Sequence, residues 1–201
     1  MSQEYIWEVK AKNTPLIKKK CNHCDSSRFY SSDKFRLNAQ KKNIDIWLIY
    51  RCVKCKNTFN MTLFSRTRAE SIPKDLFGRM LENDRETAWK YAFCHEIKRK
   101  NHVEADPDSV AYEIGYPLIE EIMNSDGDII SFTIQYPFDF GIRISSVIRM
   151  CLHLSASRFD RLMEADAIEY QGKLLHKKQK IKDGDTLMIK KDALAKLYDG
   201  I

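Results

Sequence analysis

The stretch Asp45-Ile46-Trp47-Leu48-Ile49-Tyr50-Arg51-Cys52-Val53-Lys54-Cys55 decides how the first part of this chain folds. Large apolar residues alternate along residues 43–51, so that one face would carry Ile44, Ile46, Leu48 and Tyr50 and the other Asp45, Trp47 and Ile49. This period of two predicts a β-strand. The predicted strand runs directly into a Cys-x-x-Cys pair, which places two thiols on the turn that follows it.

Another Cys-x-x-Cys pair, Cys21-Asn22-His23-Cys24, lies earlier in the chain and is separated from Cys52 by the length of a hairpin. Two thiolates separated by two residues can occupy two corners of a tetrahedron around Zn²⁺, at about 2.3 Å each. Two such pairs fill all four corners and leave no open position for water or substrate. The sequence therefore predicts a structural zinc site whose ligands are Cys21, Cys24, Cys52 and Cys55.

Other uses of these cysteines stay open at the level of sequence. Disulfides are disfavoured in a cytosolic protein, and a thioredoxin-like redox site needs one Cys-x-x-Cys pair beside a βαβ pattern. A rubredoxin-like iron centre uses the same four thiolates as zinc. His23, between two ligands, is expected to be an exposed turn residue. The 27 residues between Cys24 and Cys52 predict an inserted hairpin.

Length and hydropathy favour a soluble, cytoplasmic protein of one to three small domains. The chain has 201 residues, and its longest apolar run, Ile46 to Tyr50, is far too short to span a bilayer. Its first residues contain no basic segment followed by an apolar stretch. We therefore expect no membrane partner. Cys94 and Cys151 would remain thiols in a reducing cytosol.

Charge is unevenly distributed along the chain. Residues 1–68 contain 15 Lys and Arg against 5 Asp and Glu, residues 69–140 contain 7 against 15, and residues 141–192 contain 11 against 7. Because a Cys₄ zinc site carries about −2, the first segment stays positive with metal bound. Two basic ends separated by an acidic middle are a plausible footprint for nucleic acid.

The first segment resembles a zinc ribbon. After Cys55, Lys56-Asn57 makes a turn and residues 58–64 predict another strand. Many ribbons have Gly after each second cysteine, where the backbone takes a positive φ, whereas this chain has Asp25 and Lys56. A group of basic and aromatic residues either forms a nucleic-acid-binding surface or divides into core and solvated face: Arg28, Phe29, Tyr30, Lys34, Phe35, Arg36, Trp47 and Arg51.

The middle segment predicts two helices and a strand. One short helix follows Ile72-Pro73, and a second begins at Asn83 or Asp84 and runs to about Asn101. Cys94 and His95 project about 100° apart on this helix, which does not suit a Cys-His nucleophile pair. Asp126-Gly127-Asp128 predicts a hairpin turn before a strand at residues 129–136. The segment offers no catalytic constellation.

The last segment predicts a helix, a turn, a second helix and a small β-hairpin. Ile144, Val147, Ile148 and Cys151 form the apolar stripe of the first helix, so Cys151 is expected in the core. Ser155 is a good N-cap for the second helix, residues 156–165. The short strand at residues 168–170 and the strand at residues 186–190 follow, separated by turns at Gly172 and Gly184.

This order of elements, with Leu154-Ser155-Ala156-Ser157, Gly172-Lys173 and Lys182-Asp183-Gly184-Asp185, resembles the alpha-L RNA-binding motif of the ribosomal small-subunit protein four type. The resemblance implies RNA contacts from Arg143, Arg158, Arg161, Lys173, Lys177, Lys178 and Lys180. The chain departs from the motif at four positions, namely Ala156, Asp160, Asp166 and Gln171. RNA binding also needs clustered positive charge.

The chain also resembles an uncharacterised bacterial family catalogued only as a domain of unknown function. The resemblance rests on the leading Trp segment, the two Cys-x-x-Cys pairs, Asp45 to Tyr50 and the basic C-terminal segment. It implies no activity.

The sequence thus predicts an α+β protein with three segments: a β-rich zinc-ribbon-like module at residues 1–68, an acidic α/β connector at 69–140 and an alpha-L-like RNA-binding module at 141–201. The leading hypothesis is a non-enzymatic zinc protein that binds structured RNA, either ribosomal RNA or tRNA. The alternative is an adaptor whose zinc ribbon binds a protein partner. An enzyme acting on RNA has only a supply of carboxylates in its favour.

Overall fold

The computed structural model describes residues 4–198, which form a mixed α+β structure with two sheets. The strands are β1 (Glu4–Ala11), β2 (Leu16–Lys18), β3 (Arg28–Gln40), β4 (Asn43–Cys52), β5 (Thr58–Arg68), β6 (Glu104–Asp106), β7 (Tyr112–Gly115), β8 (Ile129–Gln135), β9 (Ile168–Tyr170), β10 (Lys173–Leu174) and β11 (Thr186–Lys190). The helices are α1 (Lys74–Leu81), α2 (Arg85–Phe93), α3 (His95–Lys100), α4 (Ile119–Met123), α5 (Ile144–Cys151), α6 (Ala156–Glu164) and α7 (Lys191–Tyr198).

The chain divides into two compact units. Residues 11–111 form one, called here the cysteine unit, and residues 1–10 with 112–201 form the other, called the C-terminal unit. This division differs from the three expected segments. The expected connector does not stand alone, because its helices α1 to α3 pack with the strands of the cysteine unit and its strand β8 lies inside the sheet of the C-terminal unit.

The cysteine unit is built on an antiparallel five-stranded sheet in the order β5-β4-β3-β2-β6. The hairpin expected between the two cysteine pairs is present, because β3 and β4 pair directly through the turn at Lys41-Lys42. The predicted alternation of β4 is also confirmed: Ile46, Leu48 and Tyr50 are fully buried. Helices α1 and α2 supply Met80, Ala88 and Ala92 to the same core, and Ile97 of α3 packs against it.

The single helix expected between Asp84 and Asn101 is wrong, because the chain breaks at Cys94 into α2 and α3. Cys94 has an extended conformation with φ −63° and ψ 118°. The buried ammonium of Lys98 explains why this break is stable. It donates to the carbonyl oxygens of Ala92 and Phe93 at 3.0 and 2.7 Å, and so satisfies groups that the end of α2 would otherwise leave unpaired.

The C-terminal unit contains a six-stranded sheet in the order β10-β9-β11-β8-β1-β7. The predicted α5, α6, β8, β9 and β11 are all present, and Ser155 is the N-cap of α6, as expected. The helices and the β9-β10 hairpin do not form an isolated module, however. Strand β11 pairs with both β9 and β8, and β8 pairs in parallel with β1 from the beginning of the chain.

Strand β1 was not predicted, although its sequence carries a signal. Tyr5, Trp7 and Val9 alternate with more polar positions, and all three are buried. The Trp7 ring lies 4.3 Å from the ring of Phe132 on β8, measured between centroids. Cys151 is fully buried in the same core, as its helical stripe predicts.

None of the helices in residues 4–198 is both long enough and apolar enough to cross a membrane.

Candidate functional site

The four paired cysteines converge because two turns lie at one end of neighbouring strands. Cys52 is the last residue of β4 and pairs in register with Phe29 at the start of β3. The first turn is closed by the Cys21 amide, which donates to Ser26 O at 2.8 Å, and the second by the Cys52 amide, which donates to Asn57 O at 2.8 Å. The Val53 amide donates to Arg28 O at 3.1 Å and links the two turns.

Two of the sulfur–sulfur distances match the edges of a tetrahedral metal centre. The Cys21 and Cys55 Sγ atoms lie 3.6 Å apart, as do those of Cys24 and Cys52. All four lie within 4.8 Å of one another. Bonds of about 2.3 Å from a central ion give tetrahedral edges of about 3.8 Å. A disulfide needs about 2.05 Å, and all four cysteines are free thiols in the structure. The four cysteines can hold one metal ion.

Backbone amides prepare part of this cluster for negative charge. The His23 amide donates to Cys21 Sγ at 3.4 Å and lowers the pKa of that thiol. Desolvation opposes ionisation of Cys52, but the amides of Cys55 and Lys54 and the side chains of Ser26 and Cys24 together outweigh it and lower the Cys52 pKa to about 6. The Asn57 amide favours the Cys55 thiolate, yet desolvation and the neighbouring thiols outweigh it and raise the Cys55 pKa to about 12. A central cation would favour all four thiolates together.

Two expectations from the sequence concern residues next to the cysteines, namely the exposure of His23 and the backbone conformation after each second cysteine. His23 is exposed in its turn, as predicted. Lys56, which stands where many ribbons have Gly, takes the left-handed conformation with φ 64°, whereas Asp25 does not have a positive φ. Lys54 Nζ forms an ion pair with Asp25 Oδ1 at 2.6 Å, and so joins the second turn to the first.

The basic residues that the alpha-L resemblance selects lie on the surface of the C-terminal unit. Six are exposed, namely Arg143, Arg161, Lys173, Lys177, Lys178 and Lys180, and Arg158 is half-buried. Two of them meet directly, since Arg143 and Lys180 form an isolated antiparallel β-bridge. Lys177 is engaged elsewhere, because its Nζ lies 2.7 Å from Asp160 Oδ1.

Arg161 faces a cleft that the sequence did not reveal. The cleft has a volume of about 440 Å³, and Lys190 and Lys196 line it together with Arg161. These cations come from three different elements, α6, β11 and α7, which only the folded topology brings together. Asp192 also lines the cleft and lies 3.9 Å from Lys196, so the positive charge there is partly compensated.

Counting charge by folded unit changes the pattern seen along the chain. Residues 11–111 contain 21 Lys and Arg against 12 Asp and Glu, whereas the remaining residues contain 13 against 16. The positive excess therefore belongs to the cysteine unit. The C-terminal unit, which carries the predicted RNA contacts, has a small acidic excess because it includes β1 and residues 112–140.

The basic and aromatic residues of the cysteine unit divide between its core and its surface. Phe29 and Phe35 are 2% and 9% exposed and belong to the core. Tyr30 and Trp47 are partly exposed, and Arg28, Lys34, Arg36 and Arg51 are exposed. Arg28 pairs with the carboxylate of Asp106. The group therefore divides into core residues and exposed residues, as the second of the two alternatives from the sequence expects.

Comparison with known protein families identifies one family that matches the chain. A family model described as "Protein of unknown function (DUF1062)" matches residues 37–174, more than half of the 201 residues. The chain belongs to this family. The DUF1062 match confirms the resemblance to an uncharacterised family, and it includes Cys52 and Cys55 while Trp7, Cys21 and Cys24 lie before it. No curated protein and no solved structure matches the chain.

Proposed function

We propose that this DUF1062 protein is a non-enzymatic RNA-binding protein whose cysteine unit is stabilised by a structural zinc ion. The observation that carries the proposal is the coincidence, in one unit, of a closed four-sulfur cluster and a large basic excess of 21 cationic against 12 anionic side chains. Positive charge of this kind favours a polyanionic partner.

The metal would be structural because its ligand shell is complete. Four thiolates satisfy Zn²⁺ and leave no position for a substrate or an activated water molecule. Cys21 and Cys52 are buried. Cys52 is the last residue of β4, and Cys21 begins the turn that precedes β3, so the ion would link the two strands at that end. Iron in the same site would give a coloured protein, which metal analysis of the purified chain distinguishes from zinc.

The proposed contact with structured RNA involves the basic loop of the C-terminal unit. Lys173, Lys177, Lys178 and Lys180 lie within eight residues of one another and are exposed. The register of Arg143 with Lys180 adds a cation from the start of α5. These groups can contact phosphates, while a second basic surface in the cysteine unit would raise the affinity through multivalency.

Charge reversal tests this contact. The variant Lys177→Glu/Lys178→Glu/Lys180→Glu should bind bulk tRNA and ribosomal RNA at least tenfold more weakly than the wild-type chain, because about three phosphate contacts are lost. Lys41→Glu/Lys42→Glu/Lys74→Glu is the matched control, since it changes the net charge equally at three other exposed lysines. Equal losses in the two variants in a filter-binding titration would contradict a localised contact.

One observation favours a second function, that of a protein adaptor. The C-terminal unit has 13 cationic against 16 anionic side chains, and Asp160 neutralises Lys177 within the basic loop. A retained fold that no longer contacts RNA would have these properties. Under this function the triple Lys→Glu variant would keep its protein partners in a pull-down from its own cells, and the wild-type chain would recover no RNA.

A further inference from the structure

The sheet of the cysteine unit has two unlike faces. Helices α1 to α3 cover one face, where Met80, Ala88 and Ala92 pack with Leu48 and Met61. The opposite face of β3, β4 and β5 is called here the outer face. Along each strand, side chains on the outer face alternate with side chains that point into the core. Trp47 and Ile49 are apolar residues of the outer face, and they do not belong to the hydrophobic core of the cysteine unit.

Strand register shows which residues are neighbours on the outer face. Directly opposed residues on antiparallel strands share a face and lie about 5 Å apart. Three rows cross the sheet in this way: Tyr30 with Arg51 and Thr58, Lys34 with Ile49 and Asn60, and Arg36 with Trp47 and Thr62. The outer face therefore presents one cation in every row, and each cation has an aromatic or apolar neighbour.

The cations of the outer face are available to a ligand. Lys34, Arg36 and Arg51 are exposed, and none of them takes part in an ion pair within residues 4–198. The carboxylates on the same two strands, Asp33 and Asp45, contact other groups. Asp45 accepts from the Arg66 amide at 2.7 Å, and Asp33 accepts from Ser31 Oγ at 3.0 Å and lies 3.8 Å from Arg85 Nε.

Aromatic rings lie among these charges. Trp47 is partly exposed, and its indole N–H makes no hydrogen bond to another described residue and is not buried. Tyr30 lies under Lys56, whose Nζ is 5.0 Å from the ring centroid. A sheet face that combines partly exposed rings with free cations provides both parts of a single-strand site: base stacking and phosphate contacts.

We infer that the outer face of β3, β4 and β5 binds single-stranded nucleic acid. Bases stack on Trp47 and Tyr30, and Lys34, Arg36 and Arg51 contact the phosphates that flank them. A duplex does not fit this arrangement, because its bases are stacked on each other and cannot reach the rings. The inference rests on the proposed function only in taking a nucleic acid as the partner, and it does not depend on the C-terminal basic loop.

The experiment uses the full-length, metal-loaded chain and fluorescein-labelled 12-mers of oligouridylate and oligothymidylate. Anisotropy titrations compare four variants with the wild type: Arg36→Gln/Arg51→Gln, Trp47→Leu, Trp47→Tyr and the control Lys41→Gln/Lys74→Gln. Circular dichroism and metal content establish that each variant is folded. The two oligonucleotides show whether the 2′-hydroxyl contributes, since only the first carries it.

The outer-face site predicts a specific ranking. Arg36→Gln/Arg51→Gln should weaken binding about tenfold and lower the slope of log K against log salt by about 0.7 for each cation lost. Trp47→Leu should weaken binding at least about fivefold, because stacking on one ring contributes roughly 1–3 kcal/mol per base, whereas Trp47→Tyr should stay within about threefold. The control should also stay within about threefold of the wild type.

Three results would overturn the inference. These are a loss in Arg36→Gln/Arg51→Gln no larger than in the control, equal binding by Trp47→Leu and Trp47→Tyr, and competition by polyglutamate as effective as that by unlabelled oligonucleotide. The proposed RNA function fails separately. If the wild type binds neither oligonucleotides nor structured RNA, both proposals are wrong; if only the triple Lys→Glu variant behaves as wild type, the C-terminal contact alone is wrong.

Discussion

At the scale of single residues, Lys56 shows how the cysteine turn overrides a local preference. Lys56 has φ 64°, which is the left-handed conformation. This conformation costs L-residues roughly 1–2 kcal/mol. The hydrogen bond from its amide to Cys52 O at 3.1 Å and the converging cysteines hold it there. Its Nζ also donates to Val53 O at 3.1 Å, which offsets part of the cost.

The stability of variants at Lys56 should therefore depend on how easily the new residue adopts a positive φ, and not on the polarity of its side chain. Lys56→Val should be less stable than Lys56→Gly by about 2 kcal/mol, because a β-branched residue is strongly disfavoured at positive φ and Gly is not. Denaturant unfolding of the metal-loaded variants measures the difference. At Asp25, where φ is not positive, the Gly variant should have no such advantage over Val, and an equal advantage at both positions would refute the assignment.

At the scale of secondary-structure elements, the best predictions came from segments whose pattern is local. The alternation of β4, the stripe of α5 and the cap of α6 each arise from neighbouring residues, and each was predicted correctly. The missed features depend on partners far away in sequence. Strand β1 is fixed by pairing with β8, and the break at Cys94 by the folding back of Lys98.

The cap of α6 gives an element-scale prediction. Ser155 Oγ accepts a hydrogen bond from the Arg158 amide at 3.2 Å, which satisfies one of the free N–H groups at the start of the helix. Ser155→Ala should destabilise the C-terminal unit by about 1 kcal/mol, measured as a shift of its urea midpoint. Ser146→Ala, at an exposed serine of α5 that caps no helix, should not lower the midpoint, and equal shifts would contradict the capping role.

At the scale of the whole molecule, the sequence predicted that four cysteines form one cluster but did not predict how the chain divides into units. Spacing alone identified Cys21, Cys24, Cys52 and Cys55, because a tetrahedral site imposes it. The unit boundaries depend on which sheet each strand joins, and no local pattern reveals that β8 pairs with β1 rather than with a neighbour. The same topology gives the C-terminal unit its small acidic excess, because residues 112–140 belong to that unit.

Metal loss should affect the two units differently. Cys52→Ser should abolish tight metal binding and remove hydrogen-exchange protection from β3, β4 and β5, while β8 and β11 stay protected, because the ligands all lie in the cysteine unit. Cys94→Ser is the matched control. Cys94 is the N-cap of α3 and caps no amide with its side chain, so Ser there should keep the metal and the protection. Retained metal in Cys52→Ser would refute the four-cysteine site.

Ultraviolet crosslinking in the protein's own cells tests RNA binding most directly. The protein is purified under denaturing conditions after irradiation, the attached RNA is sequenced, and the crosslinked peptides are identified. The account predicts reads concentrated on one structured RNA, with crosslinks in the segment Lys173–Lys180 and, on unpaired nucleotides, at the outer-face residues Tyr30 and Trp47. No RNA above the level of an unirradiated sample would contradict the account and favour the protein adaptor.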